Sequence, residues 1–177
     1  VFGLFRVKKF KKDGHKLTVD ASVSSNNDKN IALITDSTNN SANVFTDNTF
    51  NDQKNNRNLF QVDYVLPIAK NSQFEAGYRG DFVKNVSDYS VNKNGIPFPQ
   101  FTNVLEYKEK VNAFYTQFGT KFNKLSMLYG LRWEDSNIDV NQLATNDYNN
   151  KKYNNFFPSA FFTYELDETS DVSLSYS

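Results

Sequence analysis

The chain has 177 residues, no cysteine, and only one histidine, one tryptophan and one methionine. Without cysteine there is no disulfide framework and no thiolate metal site. The 20 basic and 20 acidic side chains cancel, so the electrostatic footprint of a nucleic-acid binder is missing. No run approaches the ~18 consecutive apolar residues of a transmembrane helix. No segment keeps a helical period for more than a turn or so. The sequence begins at Val1 without an initiator methionine or a signal-like stretch, and stops inside an alternating run, Val172–Ser177. It therefore reads as a fragment, and the lack of a signal peptide says nothing about localisation.

What is present in excess is aromatic. Phe contributes 17 residues and Tyr 10, making up 16% with tryptophan, although the chain as a whole is polar. Leu, Ile and Val are modest for a soluble core of that aromatic content. The clearest pattern lies in Lys108–Glu134, which reads as two long strands meeting at Asn123–Lys124. In its second limb Leu125, Met127, Tyr129, Leu131 and Trp133 take one face, and Ser126, Gly130, Arg132 and Glu134 the other, with Leu128 the exception. Period-two alternation marks a strand with one apolar and one polar side. Soluble strands are more often about five or six residues, whereas about nine to eleven, tilted by roughly 45°, cross a bilayer. A membrane barrel needs only every second residue to be apolar, which reconciles a polar average with many aromatics.

The rest of the chain repeats this plan. Val1–Phe10 is a strand ended by the turn Lys11–Gly14, whose Asp-Gly pair is turn chemistry. His15–Ser25 places Leu17, Val19, Ala21 and Val23 on one face. Leu59–Ile68 does so with Phe60, Val62, Tyr64 and Leu66, and Pro67 ends it before a turn at residues 69–72. Gln73–Asn85 sets Phe74, Ala76, Tyr78 and Phe82 against Glu75, Arg79 and Asp81. Phe156–Leu166 and Asp171–Ser177 flank the acidic turn 167–170. Between these lie three long polar segments, 26–58, 86–106 and 139–155, read as loops. Short and long connections alternate strictly, as they do in outer-membrane barrels with tight periplasmic turns and long extracellular loops. The expected fold is all-β: an antiparallel meander of about eight long strands, part of a transmembrane β-barrel filling residues 1–177.

On that reading the apolar set faces lipid, and Tyr64, Tyr78, Tyr107, Tyr129, Trp133, Tyr164 and Tyr176 are candidates for interfacial girdles. In residues 108–122, Phe114, Phe118 and Phe122 compete with Val111, Ala113 and Tyr115 for the lipid face, and the register stays open. The lumen face carries Asp63, Glu75, Arg79, Asp81, Arg132 and Glu134. Of these, Glu75, Arg79, Asp81, Arg132 and Glu134 are candidate ligand or plug contacts; the plainer reading is a mutually paired, solvated wall.

Gly130-Leu131-Arg132-Trp133-Glu134, the run Phe156-Phe157-Pro158-Ser159-Ala160-Phe161 followed by Tyr164, and Glu109-Lys110-Val111 leading to Phe114-Tyr115 together resemble the barrel of TonB-dependent receptors of the Bacteroidetes type. The likeness covers roughly residues 1–25 and 59–177. It implies a 22-stranded barrel, of which this chain is about a third. It also implies an N-terminal plug domain, coupling to the TonB complex, and import of a bulky nutrient such as a siderophore or oligosaccharide. Outer-membrane lipid is then a partner, nucleic acid is not, and no cofactor or metal is implied.

No catalytic residue emerges. His15 sits beside a turn with no triad or metal partners in view and reads as a solvent-exposed turn histidine. Asp47–Asp52 hints at calcium but lacks the glycine and distal glutamate of an EF-hand loop. Glu165, Asp167, Glu168 and Asp171 solvate a turn. Two other function classes remain open: a secreted β-sandwich or adhesin-like module holding glycan on Asn-rich loops, and a small outer-membrane barrel hydrolase. Solubility separates the first from the barrel. The full-length protein is expected to require detergent for extraction, and its partition into the aqueous phase without detergent would overturn the barrel assignment.

Overall fold

The alternating runs become one antiparallel sheet in the computed structural model, which describes residues 1–37 and 44–177. The strands are β1 (Phe2–Lys9), β2 (Lys16–Ser37), β3 (Val44–Ala69), β4 (Ser72–Lys93), β5 (Ile96–Pro97), β6 (Asn103–Phe122), β7 (Leu125–Gln142), β8 (Asp147–Glu165) and β9 (Asp171–Tyr176). Eight of them pair in chain order as a meander, and the two-residue β5 folds back onto the end of β4. Short turns lie around 10–15, 70–71, 123–124 and 166–170. Gly14 (φ 74°) and Asn123 (φ 51°) supply the left-handed backbone that two of them need.

The three long segments are not loops. The ladder runs unbroken from Lys16↔Val65 to Ser37↔Val44, so residues 26–37 and 44–58 are paired strand; residues 38–43 lie outside the described residues. Likewise β4 continues to Lys93, β7 to Gln142, and β8 begins at Asp147. Asn94-Gly95, with φ of 51° and 80°, makes the two-residue turn into β5, a signal the sequence carries. Backbone pairing is indifferent to side-chain polarity, so the ladder persists after the alternation that reveals it has stopped. Asp47–Asp52 is therefore strand, and Asp47 and Asp52, five apart, fall on opposite faces. Pro67 does not end β3 either; a register shift between Pro67 and Ala69 carries the strand past it.

The strands are staggered, and the stagger gives their tilt. At the three junctions between successive hairpins, Lys16 opposes Val65 four residues before the end of β3, Ser72 opposes Thr120 two before the end of β6, and Leu125 opposes Tyr164 one before the end of β8. That is seven residues over six strand steps. With about 3.4 Å per residue and about 4.8 Å between strands, the tilt is about 40° once the short turns are set level. At that tilt the nine residues Leu125–Trp133 rise about 20–25 Å, close to the apolar band of an outer-membrane barrel. The 26 residues of β3 rise roughly 60 Å, more than twice that height.

Directly paired residues share a face, so the register settles which side each residue takes. Tyr78 pairs with Phe114, Phe114 with Trp133 and Trp133 with Phe156; Phe118 pairs with Tyr129 and Phe122 with Leu125. The open register of 108–122 thus resolves with Phe114, Phe118 and Phe122 on the apolar face and Val111, Ala113 and Tyr115 on the polar one. Phe60, Tyr78, Phe114 and Trp133 form a chain of ring contacts at 4.9–6.2 Å along the upper edge of the band. Tyr64 and Tyr164 lie near the short-turn rim, whereas Tyr129 and Tyr176 sit at mid-height. Tyr107 is the exception: paired with Asn85 and Val140, it shares the face of Glu109 and donates to its carboxylate at 3.1 Å.

The sheet is inside-out relative to a soluble domain. Among the described residues the four buried side chains, Val65, Val91, Ala113 and Ser136, all lie on the polar face. On the apolar face, Phe114 is 52% and Phe122 71% exposed. Depressions lined by Arg57, Asp81 and Glu109, by Thr18, Asp63 and Glu75, and by Ile138 and Val140 all open on the polar face, so the sheet is concave there. No second layer covers the apolar side among the described residues. An arginine replacing Leu131 on the apolar face is expected to destabilise the full-length barrel by about 2 kcal/mol or more. Gln117→Arg on the concave face should stay within about 0.5 kcal/mol. Urea-dependent folding into phospholipid vesicles reads both.

Candidate functional site

The concave wall is built on a glycine. Asp63, Gly77, Tyr115 and Arg132 stand directly opposite one another across β3, β4, β6 and β7. Because Gly77 has no side chain, the Tyr115 ring lies flat across β4 and its hydroxyl donates to Asp63 on the strand beyond. A Cβ on Gly77 would sit 2.5 Å from the Tyr115 hydroxyl oxygen, inside contact distance. Gln61 Nε2 donates to the other Asp63 oxygen at 3.0 Å and meets the Tyr115 hydroxyl at 3.4 Å. From the opposite side the Arg132 guanidinium lies over the Tyr115 ring, 5.8 Å from its centre, an attractive placement of cation on π-face.

Over the next three rows further from the short turns the wall becomes ionic. Arg57 grips Asp81 with two donors, Nε at 2.8 Å and the terminal Nη2; such forked pairs are the strong ones. Arg79 reaches the same carboxylate at 3.5 Å. Arg132 Nε donates to Glu134 at 2.5 Å. Ala113, fully buried, pairs with both Arg79 and Glu134, so a small residue lets the long chains close over it. Two adjoining depressions result. One of 440 Å³ is lined by Arg57, Arg79, Asp81, Glu109 and Arg132. The other, of 540 Å³, is lined by Gln61, Arg79, Tyr115, Arg132, Phe157 and Phe161. Arg79 and Arg132 line both.

Of the candidates read from sequence, Arg79, Asp81, Arg132 and Glu134 converge on this wall. Asp63 anchors it through Tyr115. Glu75 stands apart, below the Gly77 row, accepting from Gln73 at 2.5 Å in a separate depression with Lys16 and Thr18. Sequence reading missed Arg57, Gln61, Glu109 and Tyr115. Arg57 was hidden in a segment taken for loop, yet counting back by twos from Asp63 reaches it. Tyr115 was hidden by the open register of β6.

His15 is not a free turn histidine: it stacks on Phe10 at 4.1 Å and hydrogen-bonds the Tyr64 hydroxyl at 2.9 Å, on the apolar face. Among the described residues no group of three or more His, Asp or Glu side chains is placed to hold a metal. Beyond the band, Asp139 accepts from Tyr148 at 2.5 Å and from Asn150 at 2.6 Å. These donors hold its carboxyl below the usual carboxylate range, and the carboxylate in turn raises the Tyr148 phenol. A carboxyl depressed on folding stabilises above its unfolded pKa and loses that contribution as pH falls through the folded one. The Tyr148–Asp139 contact at the β7–β8 tip is therefore favoured at neutral pH, weakening in acid as the carboxyl is protonated and in alkali as the raised phenol ionises.

Gly77→Ala is expected to cost about 1–3 kcal/mol by driving the Tyr115 ring from its seat. In a Tyr115→Ala background the same change should cost far less. A double-mutant cycle on vesicle-folded full-length protein that gave additive effects would show that the two residues do not share this packing.

The chain matches the model of the outer membrane protein beta-barrel family over residues 8–177, and it belongs to that family; its place is the bacterial outer membrane. No curated protein matches it. Among solved structures it is similar to the ferric citrate transporter FecA in the unliganded form, with TM-score 0.66 and 11% identity over 93% of this chain and 24% of that one. It is also similar to FpvA of P. aeruginosa bound to a heterologous ferric pyoverdine, with TM-score 0.59 and 14% identity over 96% and 25%. A third is the ferric yersiniabactin uptake receptor FyuA from Yersinia pestis, with TM-score 0.57 and 10% identity over 92% and 25%. The chain thus spans about a quarter of the length of these proteins, and at such identities the likeness is one of fold.

Proposed function

We propose that this chain is barrel wall and extracellular hairpins of a TonB-dependent receptor that imports a bulky nutrient, a siderophore complex or an oligosaccharide. The observation that carries the reading is the pairing of a lipid-height apolar band on one face with an arginine-lined, aromatic-floored wall on the other, continued outward by paired hairpins, the tallest of which brings the full rise of β3 to more than twice the band's height. A passive pore needs no such hairpins, and a small barrel hydrolase needs a nucleophile, base and orienting acid that this wall does not assemble. The structural neighbours include a ferric citrate transporter and a ferric yersiniabactin uptake receptor, which supports import as the activity class.

In this reading the hairpins meet the nutrient first and the concave wall conducts it inward. Arg57 and Arg132 are already matched by Asp81 and Glu134. Arg79, held only at 3.5 Å from an Asp81 that Arg57 already occupies, is the guanidinium most available to an incoming anionic or hydroxyl-rich ligand. Phe157 and Phe161 add apolar contact beside it. A plug domain and the TonB complex are the partners this mechanism requires.

The test uses the full-length receptor in a strain lacking its own copy, grown on a panel of ferric siderophores and oligosaccharides as sole iron or carbon source. Joining Ser25 to Asn56 through Asn-Gly keeps the Ser25↔Asn56 register and removes the outer β2–β3 hairpin. The shortened barrel is expected to insert normally and to lose at least about ten-fold in uptake, the scale of one lost hot-spot contact, as is a strain without TonB. Arg79→Ala should impair uptake more than Glu75→Ala. Growth unaltered by the hairpin deletion or by loss of TonB overturns the receptor reading.

A further inference from the structure

Within the apolar band, outward-facing charge is confined to one strand. The positions that face outward on β2 through β9, from Leu17 and Val19 to Trp133, Tyr164 and Leu174, are apolar, aromatic, small or hydroxyl-bearing among the described residues. On β1 the same face carries Lys8, paired with Leu17, and Arg6, paired with Val19. Both are exposed. Lys8 lies at the level of the first residues above the β1–β2 turn, and Arg6 about 5 Å higher at the tilt derived above. Long cations so placed bury their stems against apolar surface and carry their charges to the headgroup layer.

The turn they approach is itself basic. From Arg6 to Lys16 there are six cations and one acid, and the acid, Asp13, accepts from the N–H of Gly14 at 3.0 Å. Lys9 and Lys16 are direct cross-strand partners on the concave side of the same turn, an unfavourable like-charge pair. Lys12 is committed to the carbonyls of Pro67 and Ile68 in the next hairpin, whereas Lys11 makes no such contact among the described residues. The turn encloses a depression of 340 Å³ lined by residues 9–16. Beside it, on the lipid side, Phe10 stacks on His15 and meets Tyr64 edge-on at 6.4 Å, and the Lys8 ammonium stands 5.3 Å from the Phe10 ring.

We propose that this corner binds the phosphate of an anionic phospholipid in the periplasmic leaflet. Arg6, Lys8 and Lys11 hold the phosphate. The Phe10–His15–Tyr64 cluster supports the glycerol and upper acyl chains, and His15 finds there the role that the catalytic readings could not give it. Lipid rather than a periplasmic protein is the occupant, because Arg6 and Lys8 project from the face that meets hydrocarbon. The site depends on the membrane placement of the strands and not on what the barrel imports.

The full-length receptor, reconstituted in nanodiscs of phosphatidylcholine doped with phosphatidylglycerol and released for native mass spectrometry, reads the number of retained anionic lipids. The triple variant R6Q/K8Q/K11Q is expected to lose one phosphatidylglycerol, with affinity falling about five-fold for each cation removed. The charge-conserving R6K/K8R should retain it, and K29Q/K54Q/K151Q on the extracellular hairpins should match wild type. Lipid retention unchanged in the triple variant overturns the proposal. Retention of inorganic phosphate by the wild type from pure phosphatidylcholine discs, lost in the triple variant, would make the ligand a soluble anion and overturn it as well. A triple variant that keeps its lipid but loses association with an acidic periplasmic protein would identify the corner as a protein-docking surface instead.

Discussion

Hydrocarbon offers no partner to a peptide N–H or C=O, and the rest of this structure follows from that constraint. Each unsatisfied group would cost several kcal/mol, so strands that cross the membrane must pair along their whole length with both neighbours. Between successive strands from β1 to β9 the ladders meet that requirement, while the outer edges of β1 and β9 have no partner among the described residues. Once pairing is fixed, alternation decides which residues meet lipid, and stagger decides how steeply each strand climbs. The aromatic chain from Phe60 to Trp133 and the arginine wall behind it are the two faces of one ladder.

The wall shows how a thin sheet holds charge without a core. A soluble domain stabilises a buried arginine with surrounding layers; here the only supports are the neighbouring strands. Gly77 and Ala113 open gaps into which Tyr115 and the long ionic side chains can lie flat. Flat-lying side chains tie second-neighbour strands together, as Tyr115 on β6 does with Asp63 on β3. The short-turn rim is tied in a similar way. Lys12 caps carbonyls of the next hairpin, Lys124 donates to Leu166 O at 2.8 Å, and Lys121 pairs with Glu165 at 2.5 Å. Lateral stitching of this kind works against the splaying of hairpins that otherwise touch only through backbone bonds.

Much of this was legible in the sequence, and the illegible parts share one cause. Leu125–Trp133 and Leu17–Val23 declared both their strands and their faces, because lipid on one side and solvent on the other force alternation. Where neither face is apolar, as in 26–37 and 44–58, no alternation is required and the strand leaves no trace; those residues read as loop although they are fully paired. The β6 register was obscured for the opposite reason, since Tyr115 and Ala113 on the concave face are as apolar to the eye as Phe114 on the other. His15 looked like an exposed turn residue because its neighbour Tyr64 lies 49 positions away. Arg79, Asp81, Arg132 and Glu134 were identifiable as one face, but their mutual pairing and the roles of Arg57 and Gln61 depend on cross-strand register, which local pattern does not encode.

The ladder that outlives the apolar band separates two properties that loops leave entangled. Above Trp133 the register is inherited from the membrane-embedded rungs below, so polar side chains there can be exchanged without disturbing pairing. The height and spacing of the projecting hairpins are set by backbone geometry, while the chemistry they display is free to drift. Such a surface can change the side chains it displays while continuing to hold them at the same height above the apolar band.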